Sequence, residues 1–296
     1  MLGVELLDAR VIAVSVDDGG HVLARASANA AGEVGKAARA ALDSIRTPAS
    51  AVTALGVAAA SPESEGVAAA LQTLGAAYTD VFTATGAIAS GTAAAFAEAW
   101  IGAGRGVSDI AYFAVAEHTT GGLVKGGVPV AGSHGRAAAL GWLALNPVER
   151  EDYRKIGCLE AEVAAAGIVR RLVWRIKSGD RSQVQDVVKE DLSAITVQHV
   201  LDGARERDGV CISVVRDTAK YLGMAAANVV AVSDPEMLIL GGIMASAADV
   251  LLDLVRTEVA RRLPRTVLDA LTIVPAALGE EAPAIGAARL AAAALR

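Results

Sequence analysis

Residues 4–18, VELLDARVIAVSVDD, are apolar and β-branched, Asp18-Gly19-Gly20 has turn chemistry, and HVLARASA then alternates between apolar and polar positions. The pattern predicts a strand, a turn and a second strand. In residues 32–46, GEVGKAARAALDSIR, Val34, Ala38, Ala41, Leu42 and Ile45 recur at helical spacing and predict a helix with one buried side. AVTALGVAAASP, residues 51–62, predicts a short buried strand ending at Ser61-Pro62, and GVAAALQTLG a short helix. Residues 92–101 predict a helix whose first turn Thr92 can cap.

A second round begins near Asp109, where DIAYFAVAEHTTGGLVKGGVPVAG predicts strand, polar turn, strand, glycine turn and strand. Residues 158–180 predict one helix ending at Ser178-Gly179-Asp180, and 181–209 are polar enough to predict an exposed linker containing a helix. A long helix is expected over 213–232, broken by Asp234-Pro235 ahead of the buried strand MLILGG. Helices at 247–262 and 283–295 flank a last strand, TIVPAAL. Two repetitions of a hairpin followed by alternating helices and strands describe an α/β protein with mixed sheets, not a doubly wound parallel one.

Composition narrows this picture. A chain of 296 residues has room for two α/β domains. Hydrophobic residues make up 53% but aromatics only 3%, so the core is built from alanine, valine and leucine and its helices can pack closely. No apolar run reaches the ~18 residues of a membrane span. The start, MLGVELLDARVIAVSV, lacks the basic region and cleavage site of a signal peptide, so a cytoplasmic location is expected. Cys158 and Cys211 offer no disulfide framework, and a net charge of −6 argues against a general nucleic-acid surface.

NVVAVSDPEMLILGGIMASAADVLL, with Asp234, Pro235, Glu236, Gly241 and Gly242, is similar to the signature of the ROK family (repressors, open reading frames and sugar kinases), in which a strand delivers a glycine cluster to an adenosine. LGEEAPAIGAARLAA resembles that family's closing helix, and Gly102, Gly104 and Gly157-Cys158-Leu159-Glu160 fit its interior landmarks in order. The resemblance implies a two-domain actin-like ATPase (ribonuclease H-like) fold with an inter-domain cleft. Residues 1–108 plus 281–296 would form the first domain and 109–280 the second.

The resemblance also exposes departures. The family's first phosphate turn, Asp-x-Gly-Gly-Thr, corresponds here to Glu5-Leu6-Leu7-Asp8-Ala9, and its second to Ala116-Glu117-His118-Thr119-Thr120-Gly121-Gly122. Both carry side chains and a carboxylate where backbone N–H groups would cradle phosphate. The aspartate base that takes a proton from the sugar hydroxyl corresponds to Ser90, which has no base of its own to deprotonate it. The sugar-binding Gly-Glu-x-Gly-His becomes Ala138-Ala139-Leu140-Gly141-Trp142. The zinc run Cys-x-Cys-Gly-x-x-Gly-Cys becomes residues 151–158, leaving Cys158 as one ligand of four, so no metal is expected.

Several positions keep two readings. Glu160 is either the retained sugar contact or a favourable charge in the first turn of a helix. Glu117 and His118 are either a polar hairpin tip or groups recruited for ligand chemistry, and Glu5 is either solvated or able to orient a cation. His134 and Arg136 are candidates to touch an anionic ligand. Cys158 is expected to be a small buried residue, and Trp142 to fill the space of the absent metal and histidine. The expected function is that of a non-catalytic ROK-like protein needing no cofactor, which senses a small sugar-like ligand or interacts with a protein. The alternatives are a sugar kinase with relocated catalytic residues and a structural partner within an oligomer. The family resemblance implies a homodimer. Because the chain starts on its first strand, the winged helix of the family's repressors, and nucleic-acid binding through it, are not expected.

Overall fold

The computed structural model describes every residue except 31, 47–51, 84–85 and 296, and only the backbone at 82–83, so Ala51 of the predicted strand lies outside the described residues. Where one opening strand is expected there are two, β1 (Leu2–Leu6) and β2 (Arg10–Val16). Leu7-Asp8-Ala9 turns the chain, the Leu7 N–H donating to the Arg10 carbonyl at 3.0 Å, and Leu6 pairs antiparallel with Val11. β3 (Val22–Asn29) follows the predicted Asp-Gly-Gly turn, α1 (Val34–Ile45) the predicted helix, and then come β4 (Ala54–Ala59), α2 (Glu65–Ala77), β5 (Phe82–Thr83), β6 (Ile88–Ala89) and α3 (Ser90–Ile101). The second round runs β7 (Ile110–Val115), β8 (Thr119–Lys125) and β9 (Val128–Pro129), then α4 (Glu151–Ile156), α5 (Cys158–Val163) and α6 (Ala165–Lys177). It closes with α7 (Val184–Val187), α8 (Val197–Arg205), α9 (Gly209–Ser233), β10 (Met237–Gly242), α10 (Ile243–Ser246), α11 (Ala248–Ala260), α12 (Arg265–Ala270), β11 (Thr272–Pro275) and α13 (Ala282–Ala293).

Among the described residues one sheet has the order β3-β2-β1-β4-β5, with β6 also on β4, and the other β11-β10-β7-β8-β9. Each mixes parallel and antiparallel pairs: β1 runs parallel to β4 and antiparallel to β2, while β10–β11 is parallel and β8–β9 antiparallel. The chain divides into a first unit of Met1–Tyr112, Gly121–Ala138 and Ala276–Arg296 and a second of Phe113–Thr120 and Ala139–Pro275. Among the described residues no helix is long and apolar enough to cross a membrane.

In the first unit, Leu2, Val4, Leu6 and Val57 of the sheet share a core with Leu42 of α1 and Leu74 of α2. Among the alternate strand positions, Gly3 and Gly56 lie against α13 so closely that no side chain fits. A Cβ on Gly3 would lie 1.9 Å from the Ala284 carbonyl oxygen, and one on Gly56 1.9 Å from that of Ala287. A Cβ on Gly286 would meet α3 as closely, 1.8 Å from the Ala93 oxygen. This close approach is what an alanine-rich, aromatic-poor composition permits.

α9 is the long helix of the second unit. The Asp208 carboxylate caps its start, accepting the N–H groups of Val210 and Cys211 at 2.8 and 3.0 Å, and Asp234 ends it in the left-handed region at φ +41° ahead of Pro235. Two expectations need correction. The single helix over 158–180 is divided where Ala164 turns extended. Residues 181–209 are not an exposed linker: Ser182, Val184, Val188, Ile195, Val200 and Asp208 are buried, because their apolar positions fold back onto the unit.

Candidate functional site

In the second unit, β7 ends at Val115, and the Ala116 N–H donates to the His118 carbonyl at 2.9 Å, closing a tight turn into β8. α5 approaches the same place. Its preceding residue, Gly157, has φ +99°, and a Cβ there would lie 2.3 Å from the Gly141 carbonyl oxygen, so glycine lets the two segments touch. Glu160, in the first turn of α5, is buried: its Oε2 accepts the Thr119 N–H at 2.6 Å and its Oε1 lies 3.0 Å from His118 Nδ1. A Cβ on Gly141 would stand 3.3 Å from Oε2. Glu160 thus sits in the first turn of its helix and directs its side-chain hydrogen bonds to Thr119 and His118.

A carboxylate only accepts, so Nδ1 carries the hydrogen in this pair. His118 is about one-third exposed along its side chain, at 32%. The Thr119 hydroxyl is buried without a hydrogen-bond partner among the described residues. The arrangement sets a carboxylate-oriented imidazole next to a buried hydroxyl.

Glu117 occupies the tip of the same turn and is exposed. Gly241 is buried at the end of β10, and Gly242 has φ +61° with its missing Cβ 1.9 Å from the Val115 oxygen. Close backbone approach therefore accounts for Gly242. His134 belongs to the first unit, where it lines an open depression with Gly132, Ser133, Arg136 and Ala137, all but Ala137 exposed. Glu5 is buried in β1, and Asp8 and Ala9 are exposed in the β1–β2 turn.

Ser90 begins α3, with 2% of its surface exposed and its hydroxyl unpartnered among the described residues. Thr92 lies inside the helix, also buried and unpartnered, and does not cap it. The first turn of α3 presses on β8: a Cβ on Gly91 would be 2.0 Å from the Gly121 oxygen, and one on Gly122 2.1 Å from the Gly91 oxygen. Gly121 and Gly122 therefore have a packing role of their own.

The stretch matching the zinc run does not suit a metal. Cys158 is buried in a small cluster with Tyr153 and Ala161, neither of which can supply a thiolate or imidazole ligand. The Tyr153 hydroxyl donates to the buried Glu162 carboxylate, which also accepts Arg150 Nη1 at 3.2 Å and Arg171 Nη2 at 2.7 Å. Burial, then the Glu162 hydrogen bond, push the Tyr153 hydroxyl up to about 12. Trp142 is 59% exposed and does not fill this space. Tyr153 is the buried aromatic instead, a residue that sequence reasoning passed over because it sits in the polar run EDYRK.

The sequence pattern of the ROK family matches residues 81–294. The chain is 32% identical over 197 residues to the glucokinase of Halalkalibacterium halodurans, covering 65% of this chain and 59% of that protein. It is 27% identical over 176 residues to the xylose repressor of Caldicellulosiruptor bescii, covering 57% and 42%. The matched stretch thus spans less than two thirds of these relatives' length. The crystal structure of a ROK family glucokinase from Streptomyces griseus, in complex with glucose and AMPPNP, superposes with a TM-score of 0.82 over 99% of both chains at 21% identity. At that identity the likeness concerns the fold, an α/β architecture with two mixed sheets shared with ROK sugar kinases and actin-like ATPases. The chain belongs to the ROK family.

Proposed function

We propose that this chain is a ROK family protein that has lost sugar phosphorylation and serves as a sensor of a small sugar-like ligand or as an interaction partner. Ser90 carries the proposal. An aspartate is the base where the family's kinases activate the sugar hydroxyl, and a buried serine hydroxyl without a hydrogen-bond partner among the described residues has nothing there to take its proton. Glu160, held at a fixed orientation by Thr119, is the retained polar contact for a ring hydroxyl, with Glu117, His118 and His134 as further ligand contacts. No nucleotide or metal cofactor is required on this reading, and the working form is a cytoplasmic homodimer that binds neither nucleic acid nor membrane.

The second reading, an ATP-dependent sugar kinase with relocated catalytic residues, is favoured by the 3.0 Å Glu160–His118 pair, since a carboxylate that orients an imidazole is a common arrangement for a general base. Calorimetric titration with glucose, alone and with Mg·ATP, separates the two. Sugar binding without nucleotide binding supports the sensor, and micromolar Mg·ATP binding supports the kinase.

A further inference from the structure

α5 carries two carboxylates facing different partners. Glu160 bonds to Thr119 and His118, while Glu162, two residues on, is buried among Tyr153, Arg150 and Arg171. The helix has only six residues, from Cys158 to Val163, too short to hold its own position by backbone hydrogen bonds alone. What ties it down is Glu162. Arg150 comes from the residue before α4, Tyr153 from α4, and Arg171 from α6, so one carboxylate joins the segments on both sides of α5. The joint extends further: Arg171 Nη1 donates to the Thr218 hydroxyl of α9 at 2.9 Å, and Asn146 donates to the Tyr153 oxygen at 3.3 Å. Arg171 also reaches the Glu162 carbonyl at 3.1 Å, and Arg170 the Ala161 carbonyl at 2.7 Å, so two of the helix's exposed carbonyl ends are taken by guanidinium groups.

We propose that Glu162 is a positioning residue: with Tyr153, Arg150 and Arg171 it takes over, by charge-assisted hydrogen bonds, the bracing that a structural metal would supply to this segment, and through α5 it sets the Glu160 carboxylate against Thr119 and His118. A buried carboxylate is stable here because two guanidinium groups and a phenol satisfy its oxygens. A change at Glu162 therefore acts on Glu160 without touching any ligand.

The inference rests on Glu160 being the ligand contact of the proposed function, but its test needs no ligand, so failure of either is separately visible. The probe is the His118 ring, whose tautomer is read by nitrogen NMR at pH 7.5 and assigned with His118→Gln. In the native protein the Glu160 bond holds the Nδ1–H form. Glu162→Gln and Tyr153→Phe shift His118 toward the Nε2–H form that free imidazole prefers. They also speed amide exchange in residues 160–163 about tenfold, as expected for the loss of one charge-assisted bond, while α9 amides keep their protection. Cys158→Ala leaves both readouts unchanged. Tyr153→Phe removes a single hydroxyl and keeps the test open if Glu162→Gln does not fold. An unchanged His118 tautomer with unchanged exchange in the folded variants overturns the proposal, as does one tightly held zinc per native chain whose removal loosens α5.

Discussion

The main-chain N–H of Thr119 points at Glu160 Oε2, 2.6 Å away, so the first residue of β8 is tied to a helix that follows it by some forty positions in the chain. Thr119 is itself buried, and its N–H has no water to fall back on.

Removing that acceptor has a defined consequence. Glu160→Ala leaves a buried N–H unsatisfied and lowers stability by about 1–3 kcal/mol, whereas Glu160→Gln keeps an amide oxygen for Thr119 and costs less. Urea denaturation of the two variants, followed by circular dichroism, checks the order.

Ala138 adopts φ +57°, a conformation L-residues disfavour, at the position where the resembling family motif begins with glycine. Glycine adopts this conformation without a Cβ penalty. Relief of the left-handed strain, about 1–2 kcal/mol, outweighs the added freedom of the unfolded chain, so Ala138→Gly stabilises the protein by about 0.5–1 kcal/mol. The midpoint of thermal unfolding rises if this is right.

Asp208 gives the fold a pH dependence. Burial alone would raise its carboxyl, but the Cys211 N–H, the Ser182 hydroxyl and the N–H groups of Gln183 and Val210 together hold it below the usual carboxylate range. A depressed folded-state value means that the stabilisation is complete above the unfolded value, near pH 4, and is lost as the pH falls through the folded one. Asp208→Ala should cost about 2 kcal/mol at pH 7, the upper range for a helix cap, and the gap to the native protein should narrow below pH 4. Denaturation at pH 7, 4 and 3 reads both.

The elements that periodicity reveals were legible in the sequence: α1, α9 and β10 lie where helical spacing, Asp234-Pro235 and MLILGG put them. Breaks without glycine or proline were not. Leu7-Asp8-Ala9 turns the chain and Ala164 divides a helix, yet alanine and leucine carry no turn signal, and tertiary packing decided both. Motif matching pointed to Glu160 and His118 singly, while their contact across 42 positions depends on Gly157 and Gly141 letting two backbones meet. Aromatic size suggested Trp142 as the packing residue beside Cys158; Tyr153 packs there instead, buried and donating its hydroxyl to Glu162, while Trp142 is exposed.

The same network predicts metal content. A single buried thiol beside a phenol cannot assemble a tetrahedral thiolate site, so the purified protein should hold well below one zinc per chain, as measured by inductively coupled plasma mass spectrometry.

The central claim is that phosphoryl transfer is absent, and Ser90 and the two phosphate turns bear on it together. On the proposed reading, Asp8 in the β1–β2 turn and Glu117 in the β7–β8 turn each place a negative charge where the family's phosphate turns stand, and each would oppose a triphosphate there by about 1–4 kcal/mol at effective dielectrics of about 80 to 20. The most direct measurement is incubation of the full chain with radiolabelled Mg·ATP and, in turn, glucose, fructose, mannose and N-acetylated hexosamines, with the sugar phosphate resolved chromatographically. No labelled sugar phosphate above the no-enzyme blank is the predicted result; turnover of any of these sugars that is lost in His118→Ala would contradict it and establish the kinase reading.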